Sequence, residues 1–264
     1  MVELDPLVKA FGLCGYFPQY QPIVRYTGFG KHAEVVGYEA LCRRLERGIT
    51  LSAEQVIAEV KECGMLAELD AFMAMLNVRV GRSLPGKQFI STNMSARSLI
   101  NANLVNRLCG EDIVQNKMVL EITETERLSG KEFSKLGSCV ADLKSNGWLI
   151  AIDDFGDGHG SLRYFNRINV DIVKLSRDSL VDLKESQNLG RRQFMRDLIS
   201  SLRRQSITIV MEGVEEAADA EACFDLGVDL MQGFYFGAPS SDYEPGIYAL
   251  DAAPRIRETL LYKR

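Results

Sequence analysis

At 264 residues, 46% hydrophobic and 25% charged, the chain has the size of one α/β barrel of roughly 250 residues and the balance of a soluble globular protein. A net charge of −5 argues against a nucleic-acid polymer as partner, and no apolar run approaches the roughly 20 residues of a membrane helix. Six scattered cysteines without a Cys-x-x-Cys pair, and acids at Glu3 and Asp5 where a signal peptide carries basic residues, predict reduced thiols and a cytoplasmic location.

In chain order, Tyr20–Val24 and Val35–Leu41 are predicted strands joined by a hairpin around Gly28 and Gly30. Ser52–Cys63 begins a helix with a capping box, Ser52 paired with Gln55, and Gly64 ends it. Glu68–Val80 is helical, Gln88–Asn93 a strand, Ala96–Arg107 a helix and Met118–Ile122 a strand. Lys131–Asn146 is a helix stopped by Gly147, and Trp148–Asp153 is a strand buried on both faces. A short helix after Ser161 precedes strand Asp171–Leu175, helix Arg191–Gln205, strand Ser206–Met211, helix Ala217–Leu226 and strand Leu230–Phe236. Eight strands alternating with helices predict a (β/α)8 (TIM) barrel modified by the N-terminal hairpin, so that its first strand runs antiparallel. The predicted barrel covers residues 18–240, flanked by segments 1–17 and 241–264 that fall outside the alternation.

Polar residues collect at the C-terminal ends of these strands: Glu39, Asn93, Glu121, Glu124, Asp153, Asp154, Lys174, Glu212 and Gln232. In a barrel those ends form one mouth. One Asp of the pair at 153–154 could cap a helix while the other is solvated. A ring of acids around one mouth has no such explanation in stability, since adjacent buried carboxylates repel. Hard dications relieve that repulsion and prefer oxygen donors. His32 and His159 fall in a hairpin and a Gly-rich loop, so no histidine dyad is available, and the expected nucleophile is a metal-activated water.

The short motifs resemble, in order, those of the EAL domain family of cyclic di-GMP phosphodiesterases. They are Tyr20-Gln21-Pro22-Ile23-Val24, Glu39-Ala40-Leu41, Asn93-Met94-Ser95-Ala96-Arg97 and Leu120-Glu121-Ile122-Thr123-Glu124, then Asp153-Asp154-Phe155-Gly156, Lys174, Glu212-Gly213-Val214-Glu215 and Gln232-Gly233-Phe234. By resemblance, Glu39, Asn93, Glu121 and Asp153 hold one Mg²⁺ or Mn²⁺, and Asp153, Asp154 and Glu212 a second. The resemblance makes Lys174, Glu39 and Glu212 catalytic, with Lys174 positioning the attacking water. It places Gln21, Leu41, Arg43, Gln232 and Glu215 on the substrate side, with strand-end stabilisation as the other reading for Gln21 and Gln232 and a surface salt bridge for Arg43. Glu124 would anchor a loop. The implied reaction opens one phosphodiester of cyclic di-GMP to give linear pGpG.

Three positions depart from the family pattern: Asp157 and Gly160 in the loop after the Asp pair, and Ser176 where a carboxylate is usual. They touch the rate and its regulation more than metal binding. A non-catalytic cyclic di-GMP receptor or protein-interaction module stays open as the alternative, and so does a homodimer.

Overall fold

The computed structural model describes residues 13–28, 32–84, 86–114, 117–123, 128–155, 161–185, 189–241 and 247–249. Strands β1 (Tyr16–Tyr26) and β2 (His32–Glu46) form a long antiparallel hairpin, extended by β3 (Ile49–Leu51) folding back on the end of β2. Strands β4 (Phe89–Ser95), β5 (Met118–Thr123), β6 (Leu149–Ile152), β7 (Ile172–Leu175), β8 (Thr208–Met211) and β9 (Leu230–Gln232) follow in parallel from β2. Antiparallel pairing of Ile23 with Gln232 and of Val24 with Met231 closes the ring. The result is the expected eight-stranded barrel with an antiparallel first strand. A further strand, β10 (Ile247–Ala249), pairs with the start of β2.

The helices are α1 (Ala53–Glu62), α2 (Leu66–Ser83), α3 (Ala96–Leu99), α4 (Ala102–Cys109), α5 (Gly130–Ser145), α6 (Ser161–Phe165), α7 (Arg177–Glu185), α8 (Leu189–Arg204) and α9 (Ala217–Leu226). The Ser52–Gln55 capping box is present, and a second one, Ser129–Glu132, starts α5. Two predictions need correction. The single helix expected over Ala96–Arg107 is broken: Asn101 caps a new helix by accepting from the backbone N–H groups of Asn103 and Leu104. The last predicted strand ends at Gln232, because Gly233 turns the chain: a Cβ there would overlap the backbone of Val214. Helix α7 was not expected from the sequence.

Most of the core lies between sheet and helices, with residues such as Ile90, Met94, Leu120, Trp148, Val173 and Ile209 almost wholly buried. A smaller core fills the barrel. Ile23, Val119, Ala151, Ile172, Val210 and Leu230 meet there, with Phe89 packed against them. The Phe89 ring lies over Gly37, where even a methyl group would collide with it.

Candidate active site

Side chains on a strand alternate between faces, so residues two apart point the same way. The apolar layer inside the barrel therefore dictates what stands above it. Two residues beyond Val119, Ala151, Ile172, Val210 and Leu230 come Glu121, Asp153, Lys174, Glu212 and Gln232. On antiparallel β1 the step runs backwards, from Ile23 to Gln21. Gly37 leads to Glu39, and Phe89 to Ser91 and Asn93. The barrel rests one polar ring on an apolar floor.

Lys174 is the centre of that ring. Its Nζ lies 2.7 Å from Glu212, 2.8 Å from Glu121, 3.1 Å from Asp153 and 3.2 Å from Glu39. Burial alone would lower the lysine pKa, but the carboxylates of Asp153, Glu121, Glu212 and Glu39 together hold it well above the ordinary lysine value. It is an ammonium at neutral pH. Burial and the neighbouring Glu39 push Glu121 well above the usual carboxylate range, and burial raises Glu212 to about 8. Glu39 goes the other way. Its burial is outweighed by the Lys174 charge and by hydrogen bonds from Asn93, Gln232 and Lys174.

Asn93 Nδ2 donates to Glu39 Oε1 at 2.7 Å, which sets the orientation of the amide. Gln232 Nε2 donates to Glu39 Oε2 at 2.6 Å and to Gln21 Oε1 at 3.1 Å, and Gln21 Nε2 donates to the Gly237 carbonyl at 3.1 Å. Both glutamines thus tie the closing strands around Glu39. Ser91, which the motifs did not flag, donates to the buried carboxylate of Glu121. Its place on the same face as Asn93 was the available signal.

Asp153, Asp154 and Glu212 each offer a carboxylate oxygen within 4.8 Å of the other two. Asp154 reaches this position through a left-handed backbone, φ 47°, which aspartate tolerates better than most residues. Every donor gathered here is oxygen, and carboxylates held above their ordinary range are stabilised by any cation brought among them. Among the described residues, five carboxylates against one ammonium leave a surplus that two divalent cations would balance. The donor set fits hard dications.

The other expected positions lie further out. Arg43 shares the face of β2 that carries Glu39; its Nε donates to Gln19 and its Nη1 to the Cys42 carbonyl, both at 2.9 Å. Leu41 is half-buried on the same face. Glu215 is exposed and paired with Arg177 at 2.9 Å. Glu124, Asp157 and Gly160 lie outside the described residues. Ser176 is buried and accepts from the backbone N–H of Ser179, capping α7, which is work that serine and aspartate do equally well.

A family model for the EAL domain matches residues 6–239. The chain belongs to the EAL domain family. The uncharacterized protein Rv1357c from Mycobacterium tuberculosis is 31% identical over 84% of this chain and 74% of its own length. The probable cyclic di-GMP phosphodiesterase PdeG of Escherichia coli is 27% identical over 84% of this chain and 44% of its own. The chain spans only 32% of the length of another relative, from Azorhizobium caulinodans. The EAL fold is shared with the c-di-GMP complex of the PaMucR phosphodiesterase from Pseudomonas aeruginosa, with a TM-score of 0.71, 24% identity and coverage of 89% of this chain and 95% of that one. Among the described residues, no helix is long and apolar enough to cross a membrane.

Proposed function

We propose that this EAL domain hydrolyses cyclic di-GMP to linear pGpG with two Mg²⁺ or Mn²⁺ ions, lowering the second messenger in the bacterial cytoplasm. The observation that carries this reading is the convergence of four carboxylates from four strands on one buried ammonium, with Asp154 and Asn93 beside them. The name of PdeG and the nucleotide bound by PaMucR support it.

Glu39, Asn93, Glu121 and Asp153 would hold one ion, and Asp153, Asp154 and Glu212 the other. Such ions acidify a bound water and neutralise charge on a phosphodiester. The chain's own groups supply the rest. Buried among the carboxylates at the centre of the ring, Lys174 would act as an ammonium that donates to the attacking oxygen or the phosphate, stabilising charge instead of removing a proton. Gln232 and Asn93 hold Glu39 in one rotamer. Arg43 and Leu41, above Glu39 on the same face of β2, would meet the nucleotide. Water adds to phosphorus, the bond to the 3′ oxygen breaks, and that oxygen leaves protonated, so the product carries one 5′ phosphate.

Incubation of the pure protein with cyclic di-GMP and Mg²⁺, followed by chromatography of the nucleotides, tests the proposal. Appearance of pGpG is the expected result. Binding of cyclic di-GMP without any product would replace the enzyme by a receptor.

A further inference from the structure

Helix α2 sets two polar side chains, Asp70 and Asn77, against the outer face of the barrel. They are seven residues apart, two turns along one face, and both are buried. Asn77 is fully enclosed. It accepts a hydrogen bond from the Tyr20 hydroxyl at 3.2 Å and donates one to Thr92 Oγ1 at 3.1 Å.

The strand register gives that bridge its meaning. Tyr20 on β1 stands opposite Ala40 on β2, and Ala40 stands opposite Thr92 on β4. The three residues form one row across three strands. Neighbouring strands lie about 4.8 Å apart, so the amide that joins Tyr20 to Thr92 spans β2 at Ala40. The methyl side chain of Ala40 leaves room for it. Residues next to this row point the other way, into the mouth: Gln21, Glu39 and Ser91 stand in the adjacent row, and Asn93 follows Thr92. Two residues past Asn93, the Ser95 backbone N–H donates to Asp70 at 3.0 Å. Helix α2 therefore holds β4 on both sides of Asn93.

Apolar packing would join a helix to a sheet without these groups, and a buried amide is tolerated only while its partners satisfy it. We propose that Asn77 is a positioning residue: it locks β1, β2 and β4 in one register, so that Glu39 and Asn93 present their oxygens to a metal ion as a preset pair. This assignment rests on the metal reading of the site given above.

The test compares Thr92→Val, which keeps the shape but removes the acceptor of Asn77, with Thr92→Ser, which retains it. Asn77→Leu is a third variant. Mn²⁺ binding is followed by the electron paramagnetic resonance of the free ion, and folding of the metal-free proteins by circular dichroism. Loss of a group that orients a ligand should weaken Mn²⁺ binding about tenfold in Thr92→Val and Asn77→Leu, and by less than about twofold in Thr92→Ser. If Asn77→Leu does not fold, the Thr92 pair decides. A folded Thr92→Val protein that binds Mn²⁺ as tightly as the wild type overturns the assignment and leaves Asn77 a packing residue. Wild-type protein that binds no Mn²⁺ would instead overturn the metal reading, and this assignment with it.

Discussion

Lys174 Nζ lies 2.8 Å from Glu121 Oε2, and both side chains are sealed from solvent at the centre of the barrel. Neither group has water to fall back on, so each depends on the other and on whatever cation enters. Lys174→Met deletes the ammonium and keeps the apolar stem. Hydrolysis should fall by about 10²–10⁴ while cyclic di-GMP still binds in the presence of Mg²⁺, because the lost contact acts in the transition state. Metal-free Lys174→Met should also be less stable by about 3–5 kcal/mol, the usual result of leaving one partner of a buried pair alone. Calorimetry for binding, nucleotide chromatography for turnover and thermal melts check the three parts. Unchanged turnover would remove Lys174 from the mechanism.

Glu121→Ala makes the complementary change. It removes an oxygen donor from the closed wall of the site and frees Ser91 from its acceptor. Metal binding should weaken together with hydrolysis and with any metal-dependent affinity for the nucleotide. Retention of full Mg²⁺ affinity would mean that Glu121 serves only as a counter-ion to Lys174.

The donor set also predicts a ranking of ions. Mg²⁺ and Mn²⁺ should support turnover. Ca²⁺ should bind yet support little, since it takes longer bonds and more ligands, and excess chelator should abolish activity. Full hydrolysis in chelator would refute the metal site.

Asp70 provides a pH test of stability away from the mouth. Burial lifts its carboxyl to about 6, against about 3.9 in an unfolded chain. Between those values the native state binds the extra proton, so this group's contribution to stability falls as pH rises through the window. Above pH 6 its full cost of roughly 3 kcal/mol is present. Asp70→Asn keeps an acceptor for Ser95 and escapes the cost. It should be more stable than wild type at pH 7.5, with the advantage shrinking toward pH 4.5 in urea titrations. An advantage independent of pH would show that ionisation of Asp70 is not its source.

The ring of site residues was legible because polar residues fall at the C-terminal ends of successive strands, as Glu121 does on β5 and Lys174 on β7. Motif order did the rest. The break at Asn101 was hidden because leucines continue at helical spacing on both sides of it. Helix α7 was hidden because Ser176 looked like a lost carboxylate and not like a cap. Asp70 and Asn77 were invisible for another reason: Ser95 lies 25 residues from Asp70, and Thr92 and Tyr20 lie 15 and 57 residues from Asn77, distances over which local pattern carries no information.

Closure of the barrel has a consequence in time. The bond from Gln232 to Glu39 spans 193 residues and that from Gln232 to Gln21 spans 211, so Glu39 waits for the last barrel strand before its rotamer is fixed. Contacts of such long range form late, after the local βα units have assembled. On the ribosome, a nascent chain stalled short of β9 would carry every expected metal ligand and still lack the finished site. High-affinity Mn²⁺ binding in stalled chains of increasing length should appear only once Gln232 has left the exit tunnel, which makes metal capture a clock for the completion of folding.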